Sequence, residues 1–336
     1  MTKFSITSLA LQIQTDGDAY AYLEQVRWNG EPVCPHCGAI GGHYFLKPKN
    51  GVSRTTSRGT QSQRRTWKCK DCRRQFSVTT GTVMHGSHIS LRVWVLVFFE
   101  MASSKNGISA REIERKYGVN PRTAWYLTQR IREAMSNRNG NPFRGTVVVA
   151  DETFIGGEPR YMHANKRPKR GKGYSDQTPV LSLISMDLDD KREVRSQVIP
   201  DVRAVTLRKA IANETVLPEI TLFTDSYTGY NALTPKVARH AKVNHSDGEY
   251  VKRGAGTNAA ENYFSQLKRS LDGTHHQVSP KHLHRYLGEF DYRLTTCKES
   301  DQDRMAAIVR KSAGKSKSAG KRLSYDELRG RRTMGA

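Results

Sequence analysis

Three acids and four cysteines are the residues of this chain best placed to do chemistry. Asp225 ends an apolar run at 220–225, Asp151 ends a β-rich run at 146–151, and Glu261 lies in the stretch 258–268, which reads as a helix. Acids at the ends of separate core elements are costly unless something positive binds them. A pair of divalent cations is the simplest candidate, and two-metal sites are how many enzymes cut and join phosphodiesters. The cysteines come as Cys34-Pro-His-Cys37 and Cys69-Lys-Asp-Cys72. Each C-x-x-C places two thiolates on one tight turn, and two such turns close a tetrahedral four-thiolate shell, the structural kind of zinc site. His36 and His43 are left outside that shell. The competing reading, a thioredoxin-like redox pair, is disfavoured because two pairs are present and neither opens a βαβ unit.

The elements that must position these groups can be read from periodicity. Side chains alternate along a strand, so Val147, Val149, Asp151 and Thr153 share one face and Glu152 points the other way. Asp151 is therefore the expected partner of Asp225, and Glu152 a surface or hydrogen-bonded acid. Strands are expected near 146–153, 179–187 and 193–199, then a helix near 206–213, the strand ending at Asp225, a short strand around Val243 and the Glu261 helix. That order predicts a mixed sheet with helices on its faces, similar to the RNase H fold. In the last helix Glu261, Ser265 and Lys268 line one stripe, and Ala260, Phe264, Leu267 and Leu271 line the apolar one. A carboxylate for metal and a cation for phosphate on one stripe suit a phosphodiester site. Asn258-x-x-Glu261 is also a capping-box spacing, so Glu261 could instead tie off the helix start.

Upstream, residues 90–101 read as a buried helix. Ser109-Ala-Arg-Glu112 is a capping box opening the next one. Gly118-Val-Asn120 is a turn, and Pro121 takes the first position of a further helix. Ala124, Leu127 and Ile131 are expected to face inward and Arg122, Tyr126 and Arg130 outward. Helix, glycine turn and helix with a basic outer face is the helix-turn-helix pattern, whose second helix enters the DNA major groove. An ordinary helical hairpin is the alternative. The expected organisation is α+β and multidomain. It runs from an N-terminal helical segment (1–30), in which Asp18 could cap the helix, through a zinc ribbon (31–80) and a helix-turn-helix (88–136). A catalytic domain (143–300) and a basic flexible tail (305–336) complete it.

The formal charge of +23 and pI near 10.0 predict a polyanionic partner, with nucleic acid ahead of an anionic membrane. No apolar stretch is long enough to span a bilayer, and no secretory signal is expected at the N-terminus. Paired cysteines suit a reducing compartment. From 47 to 74 there are ten Lys or Arg against one acid, Asp71, and residues 160–173 hold six Lys or Arg and no acid. Both are expected to meet phosphate. Trp67 and Phe76 are expected to pack the small core of the ribbon. His245 is a possible neighbour of the acids. His275, His276, His282 and His284 suit phosphate or structural contacts better than a metal. Cys297 reads as an inert thiol, and Tyr227 and Tyr230 as packing, with base stacking the alternative.

The motifs together resemble a known family. The stretch from Trp28 to Gly38, Cys69-Lys-Asp-Cys-Arg-Arg-Gln-Phe76, Ala150-Asp-Glu-Thr-Phe-Ile-Gly-Gly157, Thr224-Asp-Ser-Tyr-Thr-Gly-Tyr-Asn231, the run from Ala260 to Leu271 and that from His275 to Tyr286 occur in order. In these the chain is similar to bacterial insertion-sequence DDE transposases of the ISXO type, which carry an N-terminal zinc ribbon. The 35 residues between Asp225 and Glu261 match the family spacing. The long loop between the two cysteine pairs departs from the usual ribbon. The resemblance implies that Asp151, Asp225 and Glu261 hold two Mg²⁺ or Mn²⁺ ions, that Lys268 grips a phosphate, and that one structural Zn²⁺ sits in the ribbon. It also implies double-stranded DNA as partner, a dimer or larger synaptic assembly, and residence in the bacterial cytoplasm at the nucleoid. The implied function is binding of terminal inverted repeats, strand cleavage and strand transfer. Two alternatives stand beside it: a non-catalytic DNA-binding protein with a decayed RNase H-like domain, and a nuclease that cuts but does not join.

Overall fold

A computed structural model describes residues 4–47, 55, 61–137, 140–156, 177–186, 192–243 and 258–313. They cluster into two units, one of residues 1–135 with 298–336, the other of residues 136–297. The first unit is built from helices and a small ribbon. Helix α1 (Ile6–Gln12) is followed by α2 (Asp16–Trp28), which opens with a capping box. Thr15 is the cap itself and Asp18 the reciprocating third residue, so the expected cap moves three positions upstream. The ribbon is a three-stranded antiparallel sheet of β1 (Tyr44–Phe45), β2 (Trp67–Lys68) and β3 (Gln75–Phe76). Its core is aromatic. Trp28 stands edge-on to Trp67 and to Phe76, with ring centroids 6.3 and 5.8 Å away. Glu24 of α2 is buried and accepts from Arg65 and from the Trp67 indole, both beside the second knuckle.

The apolar sequence of α3 (Leu91–Ser103) makes it the hub of this unit; nine of its residues are buried. Next come α4 (Ala110–Tyr117) and α5 (Pro121–Met135). Ser109 caps α4 by accepting from the Glu112 N–H, and Asn120 accepts from the Thr123 N–H at the start of α5. Between them Gly118 takes φ +62°, a left-handed value that a Cβ disfavours. A last helix, α9 (Asp301–Lys311), packs on α3 and buries Met305, Ile308 and Val309. The expectation of a flexible tail from 305 is thereby corrected. Residues 305, 308 and 309 keep a helical apolar spacing, and the low-complexity stretch begins only after them. The tail from 314 lies outside the described residues.

The second unit is a five-stranded sheet in the order β6-β5-β4-β7-β8. It comprises β4 (Val147–Ile155), β5 (Thr178–Met186), β6 (Arg192–Val198), β7 (Thr221–Thr224) and β8 (Arg239–Lys242). The first three run antiparallel as a meander, and β4, β7 and β8 run parallel. This is the mixed RNase H-like order expected from the sequence. The short last strand ends just before Val243. One face is covered by α6 (Ala204–Glu214) and by a 3-10 stretch, Thr228–Lys236, which carry Leu207, Ile211, Tyr230 and Leu233 against Val148, Ala150 and Leu222. The other face is covered by α7 (Asn258–Ser270) and α8 (Pro280–Thr295), which carry Phe264, Leu267, Leu287 and Phe290 against Val149, Ile184 and Phe223. Valine alternation in β4 thus feeds both cores, Val148 one and Val149 the other.

The edge strand β6 is closed by α8. Its N–H groups at Val194 and Ser196 donate to Thr295 Oγ1 and Asp291 Oδ2, at 3.1 and 2.8 Å.

Candidate functional sites: a thiol cluster and a carboxylate trio

The two knuckles bring their sulfurs together. Cys34 Sγ is 3.7 Å from Cys72 Sγ, Cys37 Sγ is 3.6 Å from Cys69 Sγ, and all four lie within 4.8 Å of one another. A tetrahedron of Zn–S bonds near 2.3 Å has edges of about 3.8 Å, so the cage fits a zinc ion. Burial pushes the Cys34 thiol up to about 12. Burial also works against the Cys69 thiolate, yet N–H groups of Cys72 and Asp71 and the adjoining thiols bring that group down to about 7. Thiolates packed this closely call for a cation. His36 and His43 turn instead to backbone carbonyls, Gln75 O and Ala39 O.

The carboxylates are arranged by strand register. In the parallel pair β4–β7, Val149 lies beside Phe223, and both pack under α7 and α8. Two residues further along each chain come Asp151 and Asp225. The same register therefore sets Asp151, in the middle of β4, level with Asp225, which directly follows β7, on the α7 face. Glu261 is in the first turn of α7, whose other side packs on β4. Burial pushes the Asp151 carboxyl up to about 7, and the charges of Glu152, Asp225 and Glu261 push in the same direction. Asp151 Oδ1 accepts from the Glu152 N–H, and Asp225 Oδ1 from the Tyr227 N–H. Oxygen donors clustered so that each raises the cost of charging the next suit hard divalent cations such as Mg²⁺ or Mn²⁺. The convergence is looser than that of the sulfurs. Among the described residues, the four cysteines are the group of three or more potential ligands that closes within 4.8 Å.

Glu152 stands on the opposite face, where its carboxylate accepts from the Tyr230 hydroxyl in the α6-side core. Tyr230 is fully buried, and Tyr227 packs edge-on to it with its hydroxyl on Val202 O. Glu261, Ser265 and Lys268 form an exposed stripe along α7, and Ala260, Phe264, Leu267 and Leu271 are buried.

One expected stripe does not form. Arg122 is exposed, but Tyr126 and Arg130 are buried, Arg130 completely. The Arg130 guanidinium donates to His85 O and lies over the rings of Trp94 and Tyr126, 5.6 and 4.9 Å from their centroids. A planar, weakly hydrated cation can be buried on aromatic faces, which the assumption that basic residues point outward overlooks. Three exposed basic groups of this helical pair, Arg115, Lys116 and Arg122, lie around its turn, and a fourth, Arg111, opens α4.

Of the histidines, His275 packs edge-on to Tyr286 at 4.9 Å, and His282 Nδ1 lies 3.1 Å from Arg285 Nη1. Cys297 is an exposed free thiol. His245 and the basic loop 160–173 lie outside the described residues, as does most of the stretch 48–60. Among the described residues no helix is long and apolar enough to cross a membrane.

Sequence reasoning missed a polar group beneath α7. Asp291 Oδ1 accepts from Ser196 Oγ and from the Tyr263 hydroxyl, both at 2.6 Å. Its signal was present, because Asp291 shares the stripe of Leu287 and Leu294 on α8, and an acid on an apolar stripe needs a partner.

Comparison with known proteins agrees with this architecture. Residues 143–295 match the ISXO2-like transposase domain, and residues 14–75 match the transposase zinc-ribbon domain. The chain is 25% identical over 297 residues to an uncharacterized protein in transposable element ISH50 of Halobacterium salinarum, covering 85% of this chain and 93% of that protein. It is 27% identical over 112 residues to an uncharacterized transposase-like protein of Haemophilus influenzae, covering 33% of this chain and 89% of that one. The chain thus carries, in order, a transposase zinc ribbon and an ISXO2-like transposase domain, the two domains of an insertion-sequence transposase.

Proposed function

We propose that the protein binds the terminal inverted repeats of its element and catalyses metal-dependent strand cleavage and strand transfer. The observation that carries this reading is the parallel register of β4 and β7, which brings Asp151 level with Asp225 two residues past the Val149–Phe223 pair, with Glu261 close enough to burden the Asp151 carboxylate. In it, Asp151, Asp225 and Glu261 hold two Mg²⁺ or Mn²⁺ ions. When bound, such a pair activates a water or a DNA 3′-hydroxyl and stabilises the leaving oxygen. The protein's own work is to fix the three carboxylates and to hold the DNA in line. Lys268, two helical turns from Glu261 on the exposed stripe, grips a phosphate near the scissile bond. Arg122 reaches DNA from the exposed start of α5, the end that helix-turn-helix proteins present to base edges. Tyr126 and Arg130 are left as supports of that helix, not as contacts. The zinc ribbon adds a basic, metal-stapled surface for phosphates. Synapsis of two ends calls for a dimer or larger assembly, working on DNA in the cytoplasm at the nucleoid.

The test is strand transfer of terminal-repeat DNA with Mg²⁺, comparing wild type with Asp225→Asn. The variant is expected to be inactive, and equal activity of the two removes the catalytic assignment. Pre-cut ends supplied to the wild type are expected to be joined. Ends left unjoined would make the protein a nuclease.

A further inference from the structure

A line of polar side chains crosses the otherwise apolar α7 side of the sheet. Asp151 stands directly opposite Ser182 on β5, and Ser182 directly opposite Ser196 on β6. Residues directly opposite in antiparallel pairs share a face, so the three form one row at right angles to the strands. Ser182 Oγ is 2.8 Å from Ser196 Oγ. Ser196 donates onward to Asp291 Oδ1, its N–H donates to Oδ2, and its Oγ is 2.9 Å from the Tyr263 hydroxyl. Tyr263 donates to Asp291 Oδ1 as well. With the Ser196 hydrogen engaged on Asp291, Ser182 is left to donate to Ser196. Ser182, Tyr263 and Asp291 are each less than a tenth exposed, and Ser196 is half-buried.

Burying such a group costs unless each member is hydrogen-bonded, and a fully satisfied network fixes one arrangement where apolar packing permits several. The row begins at the strand position of Asp151 and ends on α7, two residues from Glu261. That is about 3 Å along the helix axis. Valines and leucines press α7 onto the sheet without direction; the Tyr263 hydroxyl, through Asp291 and Ser196, ties its height and rotation to β6, and the β6–β5–β4 ladder carries that register to Asp151.

We infer that Tyr263, Asp291 and Ser196 are positioning residues that set Glu261 relative to Asp151, so that the carboxylate trio meets the strict geometry of its divalent cations. This rests on the reading of the trio as a metal site. Partners that orient metal ligands typically contribute about 10–100-fold in metal affinity, and Mg²⁺ demands near-ideal octahedral coordination.

The experiment measures Mn²⁺ binding to the zinc-loaded full chain by electron paramagnetic resonance of the free ion, with thermal melts and DNA affinity alongside. Tyr263→Phe keeps the ring and removes one hydroxyl. It is expected to weaken Mn²⁺ binding by about 10–100-fold, with DNA affinity unchanged. Ser196→Ala is expected to do the same, and Ser196→Thr to restore binding. Where Tyr263→Phe does not fold, the Ser196 pair carries the test. Asp225→Asn is the control. If it binds Mn²⁺ as wild type does, the metal-site reading itself falls. If it loses Mn²⁺ while Tyr263→Phe and Ser196→Ala bind as wild type does, the row is merely structural and the inference is overturned.

Discussion

The thiol cluster and the carboxylate trio are both sets of would-be anions, yet they are built in opposite ways. The cysteines come from two tight turns of local sequence, and their sulfurs lie within 4.8 Å of one another. The acids come from two strands and a helix far apart in the chain, and only the fold brings them near. A structural metal site can spend all its ligands on one closed shell. A site for chemistry on DNA has to leave positions open for phosphate and water, and its looser, partly exposed acids fit that need. The difference predicts that removing a ligand unfolds one site and relieves the other.

The largest effect is expected at the ribbon. Cys69→Ser, or stripping zinc with a chelator, should unfold the ribbon. Structural zinc contributes about 10–16 kcal/mol in isolated finger peptides, and this three-stranded sheet has only two-residue strands. Fluorescence of Trp28 and Trp67, with zinc content, reads it. A ribbon that stays folded without metal would erase the contrast.

Asp225→Asn should act the other way. Cleavage should fall below detection, while melts in chelator should show the second unit unchanged or stabilised by about 0.5–2 kcal/mol, the usual gain when a functional site is relaxed. A clear loss of stability would make Asp225 a structural acid.

Arg130 and Arg122 sharpen the comparison within the helical pair. Arg130→Ala should destabilise the first unit by about 2–4 kcal/mol through the emptied space on Trp94 and Tyr126. Arg122→Ala should leave the melt unchanged, weaken DNA binding and reduce the salt slope by about one. The smallest effect is expected at Glu152→Gln, which keeps an acceptor for Tyr230 on the face away from the trio. Cleavage should stay within about tenfold, or 1.4 kcal/mol. A loss as deep as that of Asp225→Asn would move the site across the sheet.

Much of this was legible beforehand where local rules act alone. Strand alternation separated Asp151 from Glu152, and C-x-x-C spacing gathered the sulfurs. Helical spacing put Glu261 and Lys268 on the open side of α7. What failed depended on neighbours that no periodicity encodes. Arg130 was assigned outward because it is charged, and its burial needed the rings of Trp94 and Tyr126. The helix at Asp301–Lys311 was hidden by the basic repeat that follows it. The Asp291 network joins residues from β5, β6, α7 and α8, and only its odd acid on an apolar stripe hinted at it.

The closure of β6 by Thr295 and Asp291 has a consequence for how copies of this protein meet. An outermost strand with free donors invites another molecule to extend it, and repeated from copy to copy that would mean uncontrolled fibres. With two of those donors already engaged by α8, this border is a poor template for another copy of the chain, and any contact between copies there falls to side chains, which can be matched to one partner and later released.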